Sequence, residues 1–266
     1  MLACEFRLTV DCQRVLTHLD RLLPHAIQHY PVSRRHHLHV RGAPGGYRVG
    51  AGDGTDFHRT PRAAAQNVLM RIHDLSLAAL PEFTRIHAGC ASRDGKRLLA
   101  VGPARAGKST LMSALLYEGF AVHCDDIVLL RAGEVLPYPR RFLIRSSTVA
   151  LLPALAAVPA QPDDDDGGDG DGELALDPSE LGFEWRIEPG PVDAVFFLRP
   201  DPDRPSRVEP CPKYEMAALV MAHTNLPRGG RGPWVRDICA MLNRARCYTL
   251  RWQELEASLR AVTGAF

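Results

Sequence analysis

Short period-two apolar runs alternate along the chain with longer runs at helical spacing, an order that predicts a mixed α/β fold. Val15, Leu16, Leu19, Leu22 and Leu23 recur at helical spacing inside Val10 to Leu23, and Pro24 stops that helix. His37 to Arg41 and Gly46 to Val49 alternate as short strands around the turn-rich Gly42-Ala-Pro-Gly-Gly46. Pro61 opens a helix over Arg62 to Leu80, which Pro81 ends. Residues 1–83 therefore read as a small α+β N-terminal region.

From Glu82 the pattern becomes strand, turn, strand. Phe83 to Ala91 and Lys96 to Val101 flank Asp94-Gly95, a strong hairpin signal. A two-residue loop pairs Arg93 with Lys96 and sets His87 against Gly102; a four-residue loop sets it against Ala100. The helix Gly107 to Glu118, ended by Gly119, and the strand Phe120 to Cys124 read as a βαβ unit. Twelve helical residues cover roughly 18 Å and five or six strand residues about 17 to 20 Å. Asp125 and Asp126 thus come back level with the start of that helix.

Further on, Ile127 to Leu130 and Val135-Leu136 form a second hairpin around Arg131-Ala-Gly-Glu134, followed by Pro137-Tyr-Pro139 and the basic Arg140, Arg141 and Arg145. Val192 to Leu198 reads as a buried strand, Tyr214 to Ala222 and Pro233 to Arg246 as helices, Tyr248 to Leu250 as a last strand and Trp252 to Val262 as a closing helix. His223 and Asn225 read as structural residues rather than catalytic ones.

The candidate chemistry lies between the first hairpin and its helix. Gly102-Pro-Ala-Arg105-Ala106-Gly107-Lys108-Ser109 fits G-x-x-x-x-G-K-[ST], a phosphate-binding loop signature. The glycines let successive N–H groups turn inward at a helix N-terminus, where donors and positive dipole favour a phosphate chain. Lys108 adds a mobile charge for the β- and γ-phosphates, and the Ser109 hydroxyl suits Mg²⁺. Paired acids beside such a loop have two natural jobs: one carboxylate holds metal, the other accepts a proton from the attacking nucleophile. Arg140, Arg141 and Arg145 suit phosphate or an acidic acceptor group, the other reading being an ordinary charged surface beside Phe142 and Ile144.

Composition narrows the field. Basic and acidic residues nearly cancel, 32 against 31, so no overall field draws the chain to nucleic acid or anionic membrane. Seven scattered cysteines, none spaced C-x-x-C, read as reduced cytosolic thiols rather than a disulfide framework or zinc knuckle. The N-terminus has Glu5 and Arg7 where a signal peptide needs an apolar core, and the apolar run Thr148 to Ala160 is broken by Pro153 and Pro159. A cytoplasmic chain is expected. His37 and His39 share a strand face while His36 points away, which favours a solvated surface over a metal site. Gln161 to Gly172 is acidic and glycine-rich and reads as a disordered loop that could order as a lid.

His87-Ala-Gly89, Gly102 to Thr110, Asp125-Asp126-Ile-Val and Pro137-Tyr-Pro-Arg140 together resemble the HPr kinase family, specifically over about 82–145. The resemblance implies an α/β P-loop core of the phosphoenolpyruvate-carboxykinase-like type over 84–266. It implies that Gly102, Arg105, Ala106, Gly107, Lys108, Ser109 and Thr110 hold ATP and Mg²⁺, that Asp125 is the metal-side acid with Ser109, and that Asp126 is the base. His87 becomes a partner to that pair or to the γ-phosphate. Ala106 stands where the bifunctional enzymes carry glycine, and no E-x-R-G-x-G segment of the kind tied to their phosphorylase activity is present. The chain therefore looks more like the short HPr-kinase-related proteins. Some of these accompany lasso-peptide biosynthesis and phosphorylate the C-terminal serine of a precursor peptide.

The expected activity is an ATP- and Mg²⁺-dependent kinase acting on a serine-bearing peptide or protein. Two alternatives stand beside it: a nucleotide-sensing module without phosphotransfer, and a kinase of a small-molecule hydroxyl such as free serine. Oligomeric state is left open, a homo-oligomer included.

Overall fold

The computed structural model describes residues 2–24, 31–51, 54–158, 173–225 and 232–266. The acidic tract 161–172, expected to be disordered, lies outside the described residues.

The chain begins with β1 (Cys4–Val10), α1 (Gln13–Leu22), β2 (Arg34–Ala43), β3 (Gly46–Ala51), β4 (Gly54–His58) and α2 (Pro61–Ala78). The four strands form one sheet in chain order, with β1 parallel to β2 and the rest antiparallel. Val15, Leu19, Val68 and Ile72 of the two helices bury against Leu38, Val40 and Val49 on one face. β1 corrects the sequence reading, which ran the first helix from Val10. Cys4, Phe6, Leu8 and Val10 turn inward while Glu5, Arg7 and Thr9 face solvent, a strand period that ends before Cys12 caps α1.

Next come β5 (Thr84–Arg93), β6 (Lys96–Val101), α3 (Lys108–Tyr117), β7 (Ala121–Cys124), β8 (Ile127–Arg131), β9 (Glu134–Pro137), β10 (Phe142–Arg145), α4 (Ser146–Leu151) and β11 (Glu173–Leu176). The chain closes through β12 (Gly190–Pro191), β13 (Ala194–Pro200), β14 (Arg207–Pro210), α5 (Lys213–Ala222), β15 (Thr224–Asn225), α6 (Gly232–Arg244), β16 (Arg246–Trp252) and α7 (Leu255–Ala265). The large sheet runs β12-β9-β8-β5-β6-β13-β16-β14, with β7 and β15 also paired to β5. Leu111 and Leu115 of α3 and Val262 of α7 pack on one face; Met216 and Val220 of α5 and Ile238 and Met241 of α6 pack on the other. Burial on both faces explains the unbroken apolar runs Leu98–Val101 and Ala194–Leu198 along parallel β6 and β13.

The hairpin β5–β6 adopts the two-residue register. Arg93 pairs with Lys96 and Ala88 with Val101, and Asp94 (φ 52°) and Gly95 (φ 74°) take the left-handed conformations such a loop needs. The expected βαβ unit is modified: β6 and β7 run the same way, but β5 lies between them, antiparallel to both. No described helix is long and apolar enough to cross a membrane.

Candidate functional site

β6 delivers the chain into the loop 102–107, and α3 begins at Lys108. Gly107 caps the helix at φ 91°, and Arg105 is also left-handed at φ 64°. A Cβ on Gly107 would lie 3.3 Å from the Trp252 indole, so β16 closes one side of the loop. Gly102 sits tight against β13, where a Cβ would be 3.0 Å from the Leu198 carbonyl oxygen. Ala106 is buried in the core. Lys108 folds back onto its own loop, its Nζ donating to the carbonyls of Gly102 (2.8 Å) and Pro103 (2.9 Å). Burial pulls its pKa down against the opposing influence of Asp126 and Asp125.

The two acids occupy a break in an otherwise continuous ladder. β7 pairs Cys124 with Cys90, and β8 pairs Ile127 with His87, one register carried across the gap. Asp125 and Asp126 thus lie against Gly89 and Ala88, and the Ala88 N–H donates to the Asp126 carbonyl at 2.9 Å. Gly89 lets α3 approach, since a Cβ there would fall 2.6 Å from Met112 Cγ. That contact brings the start of α3 down to the acids, where the Ser109 hydroxyl favours the ionised form of the Asp125 carboxyl. Asp125 is 3% exposed, and burial, reinforced by the charge of Asp126, pushes its pKa up to about 7.

Asp126 behaves oppositely. Its Oδ1 lies 2.8 Å from His87 Nε2, and its Oδ2 accepts from Arg140 Nη1. Burial opposes its ionisation, but His87, Arg140 and Lys108 together outweigh that and hold its pKa below the ordinary 3.8. Adjacent carboxyls with pKa values driven apart are the arrangement by which one site separates two roles.

Two clefts of about 360 Å³ each meet here. One is lined by the loop and start of α3 (Arg105, Gly107 to Thr110) together with Arg145, Ser147 and Thr148. The other is lined by Arg85, Ile86, Asp126, Ile127, His223 and Thr224. His87 borders both.

No family model and no curated protein matches this chain. Among solved structures it is similar to the Hpr(Ser) kinase/phosphatase from Coxiella burnetii. The identity is 16%, with 68% of this chain and 95% of that chain covered, at a TM-score of 0.33.

The geometry of this structure brings His87, Lys108, Ser109, Asp125 and Asp126 together, with Arg105, Gly107 and Arg145 on the loop cleft. Gly102 and Ala106 shape the loop from beneath and do not line that cleft. Thr110 lines it, but its hydroxyl is engaged with Thr148 Oγ1 at 2.8 Å. Arg140 is committed to Asp126 rather than extended to a ligand. Arg141, 3% exposed, is a structural clamp: it donates to the Leu23 carbonyl and pairs with Glu180 at 2.7 Å.

From the sequence, His223 reads as a structural residue. The structure puts it in the second cleft, its carbonyl accepting from the His87 N–H at 2.9 Å, because the two-residue strand β15 pairs with Arg85 and Ile86. A strand that short leaves no periodic signal.

Among the described residues no cluster of three or more His, Cys, Asp or Glu forms a metal-binding group. His37 bonds to Thr9 Oγ1 (2.8 Å) and His36 stacks on Phe6.

Proposed function

We propose that this chain is a kinase that transfers the γ-phosphoryl group of ATP to a serine hydroxyl of a peptide or protein, with Mg²⁺. Residues 84–266 carry the phosphotransfer site as a P-loop core, and residues 1–83 form an accessory α+β region. The observation that carries the reading is His87, which borders both clefts while bonded to Asp126. A donor held in the loop cleft and an acceptor held in the other would meet at one acid–base pair.

The residues present fit nucleotide and metal. Lys108 Nζ is held by two carbonyls that a phosphate chain could replace as partners, and Gly107 shapes the loop with a backbone only glycine adopts cheaply. Asp125 is buried with a carboxyl that resists ionisation, beside a serine hydroxyl, which is a donor set a divalent cation would satisfy. Mg²⁺, when bound by Ser109 and Asp125, supplies charge that offsets the phosphates.

Asp126 is ionised throughout the neutral range, as a proton acceptor must be, and His87 and Arg140 fix its orientation. As the acceptor oxygen bonds to the γ-phosphorus, the bond from that phosphorus to the β-bridging oxygen breaks. ADP leaves, and the hydroxyl proton passes to Asp126. A weak base suits a loose transition state in which the acceptor loses its proton late. Lys108 and the loop N–H groups stabilise charge on the transferring group.

For the acceptor, the family resemblance alone points to the C-terminal serine of a lasso-type precursor. Intact-mass analysis of a serine-bearing peptide incubated with the chain, ATP and Mg²⁺ tests the reading. One added phosphate on serine supports it. Nucleotide binding without any phosphopeptide favours a nucleotide sensor, and phosphorylation of free serine in place of peptide moves the acceptor to small molecules.

A further inference from the structure

Among the described residues, the β1–β4 sheet has one face packed under α1 and α2 and an exposed row of side chains on the other. On the open face β2 carries the row Arg35, His37, His39 and Arg41, with Arg7 beside His37 on β1 and Arg48 opposite Arg41 on β3. All four arginines are exposed. Within the four strands the single acid on this face is Glu5, already paired with Arg35 at 3.0 Å. Asp11, just beyond β1, accepts from the Gly42 N–H. Arg7, Arg41 and Arg48 have no carboxylate within ion-pair distance among the described residues.

This face carries a physical cost. Arg41 and Arg48 are direct cross-strand partners, a like-charge pairing that destabilises a sheet. His39 is fitted into the row at the expense of its neighbour, since any Cβ on Gly50 would come within 2.3 Å of its Nε2. His37 is held by Thr9. A charge row kept against its own repulsion calls for an anionic counterpart.

We propose that this face docks an extended, carboxylate-rich peptide segment of a partner protein. Alternate side chains of an extended peptide repeat about every 6.6 Å, the same spacing as alternate residues of β2, and the row from Arg35 to Arg41 spans about 20 Å. Arginine receives carboxylates bidentately, so six or seven residues of such a peptide match the row in length, period and charge. A single-stranded nucleic acid fits less well, because sheet surfaces that bind it offer aromatic stacking platforms. Phe57, the cross-strand partner of Arg48 on β4, is the one exposed Phe, Tyr or Trp within these four strands, a single platform where such a surface offers several. This surface is independent of the phosphotransfer reading.

Fluorescence anisotropy of a fluorescein-labelled octaglutamate peptide with the full chain tests the proposal. Saturable binding that weakens with salt is expected, reduced roughly tenfold or more in R7E/R48E. R236E/R244E, which makes the same charge change on α6, should bind as the unaltered chain does. Arg48→Glu places a carboxylate opposite Arg41, so the R7E/R48E chain should melt no lower than the original, which separates lost docking from lost folding. Absence of peptide binding overturns the proposal, as does equal loss in both double variants. Tighter binding of a labelled oligothymidylate that R7E/R48E abolishes would also overturn it, in favour of a polynucleotide surface.

Discussion

Asp126 is held from both sides, by His87 Nε2 at 2.8 Å on Oδ1 and by Arg140 on Oδ2. Both partners favour the ionised carboxylate and together with Lys108 keep its pKa low. Replacing Arg140 with Gln removes one of these charges, so the Asp126 pKa rises and the acid limb of the rate profile moves to higher pH. A pH profile of phosphotransfer from pH 4 to 8 measures the shift, and an unmoved acid limb would separate Asp126 from the proton transfer.

Asp125 gives a stability prediction of known sign. Its folded-state pKa, about 7, lies above the ordinary 3.8. Across that window the folded chain keeps a proton that the unfolded chain has released, so this group makes stability fall as pH rises and the penalty is complete above pH 7. Asp126 works the other way: its contribution is present above the ordinary carboxylate value and is lost as pH falls through its lowered folded value. Asp125→Asn should therefore raise Tm at pH 8 while abolishing metal-dependent activity. The gain is on the order of 2 to 4 kcal/mol at pH 8, and it should fade toward pH 4. Calorimetry at the two pH values reads it directly.

Lys108 is a buried cation held by carbonyls rather than by a carboxylate. Lys108→Met removes a desolvated charge, so the ligand-free protein should melt no lower than before. The Tm increase on adding ATP and Mg²⁺, which reports binding to the folded state, should disappear. Thermal melts with and without nucleotide check both halves.

Gly107 combines φ 91° with the Trp252 indole 3.3 Å from any added Cβ. Gly107→Ala should cost about 1 to 2 kcal/mol for the left-handed backbone alone, and nucleotide affinity should fall with it. Trp252 fluorescence and titration calorimetry would register the two effects separately.

Much of this site was legible because its determinants are local. The loop spacing lies within eight residues, and Asp94-Gly95 admits the tight turn that sets His87 against the loop. Helix and strand lengths alone returned Asp125 and Asp126 to the same edge. What escaped depends on distant pairings. β1 is a strand because β2 lies beside it, although it runs almost directly into α1. β7 pairs with β5 rather than β6, since β5 occupies the edge of β6 where a βαβ partner would lie. Arg140 looked like a ligand-binding cation, and its engagement by Asp126 arises only when β8 and β9 fold back. His223 enters the second cleft through the two residues of β15, too few to read as a strand.

Single-turnover transfer of label from γ-labelled ATP to a serine-bearing peptide, comparing the unaltered chain with Asp126→Asn while nucleotide affinity is measured in parallel, tests the central claim most directly. Label on the peptide's serine is expected with the unaltered chain, and in the variant a transfer rate lower by about 10²- to 10⁴-fold with nucleotide affinity retained. Equal transfer by both chains would contradict the role given to Asp126, and tight nucleotide binding with no transfer by either would contradict the kinase itself.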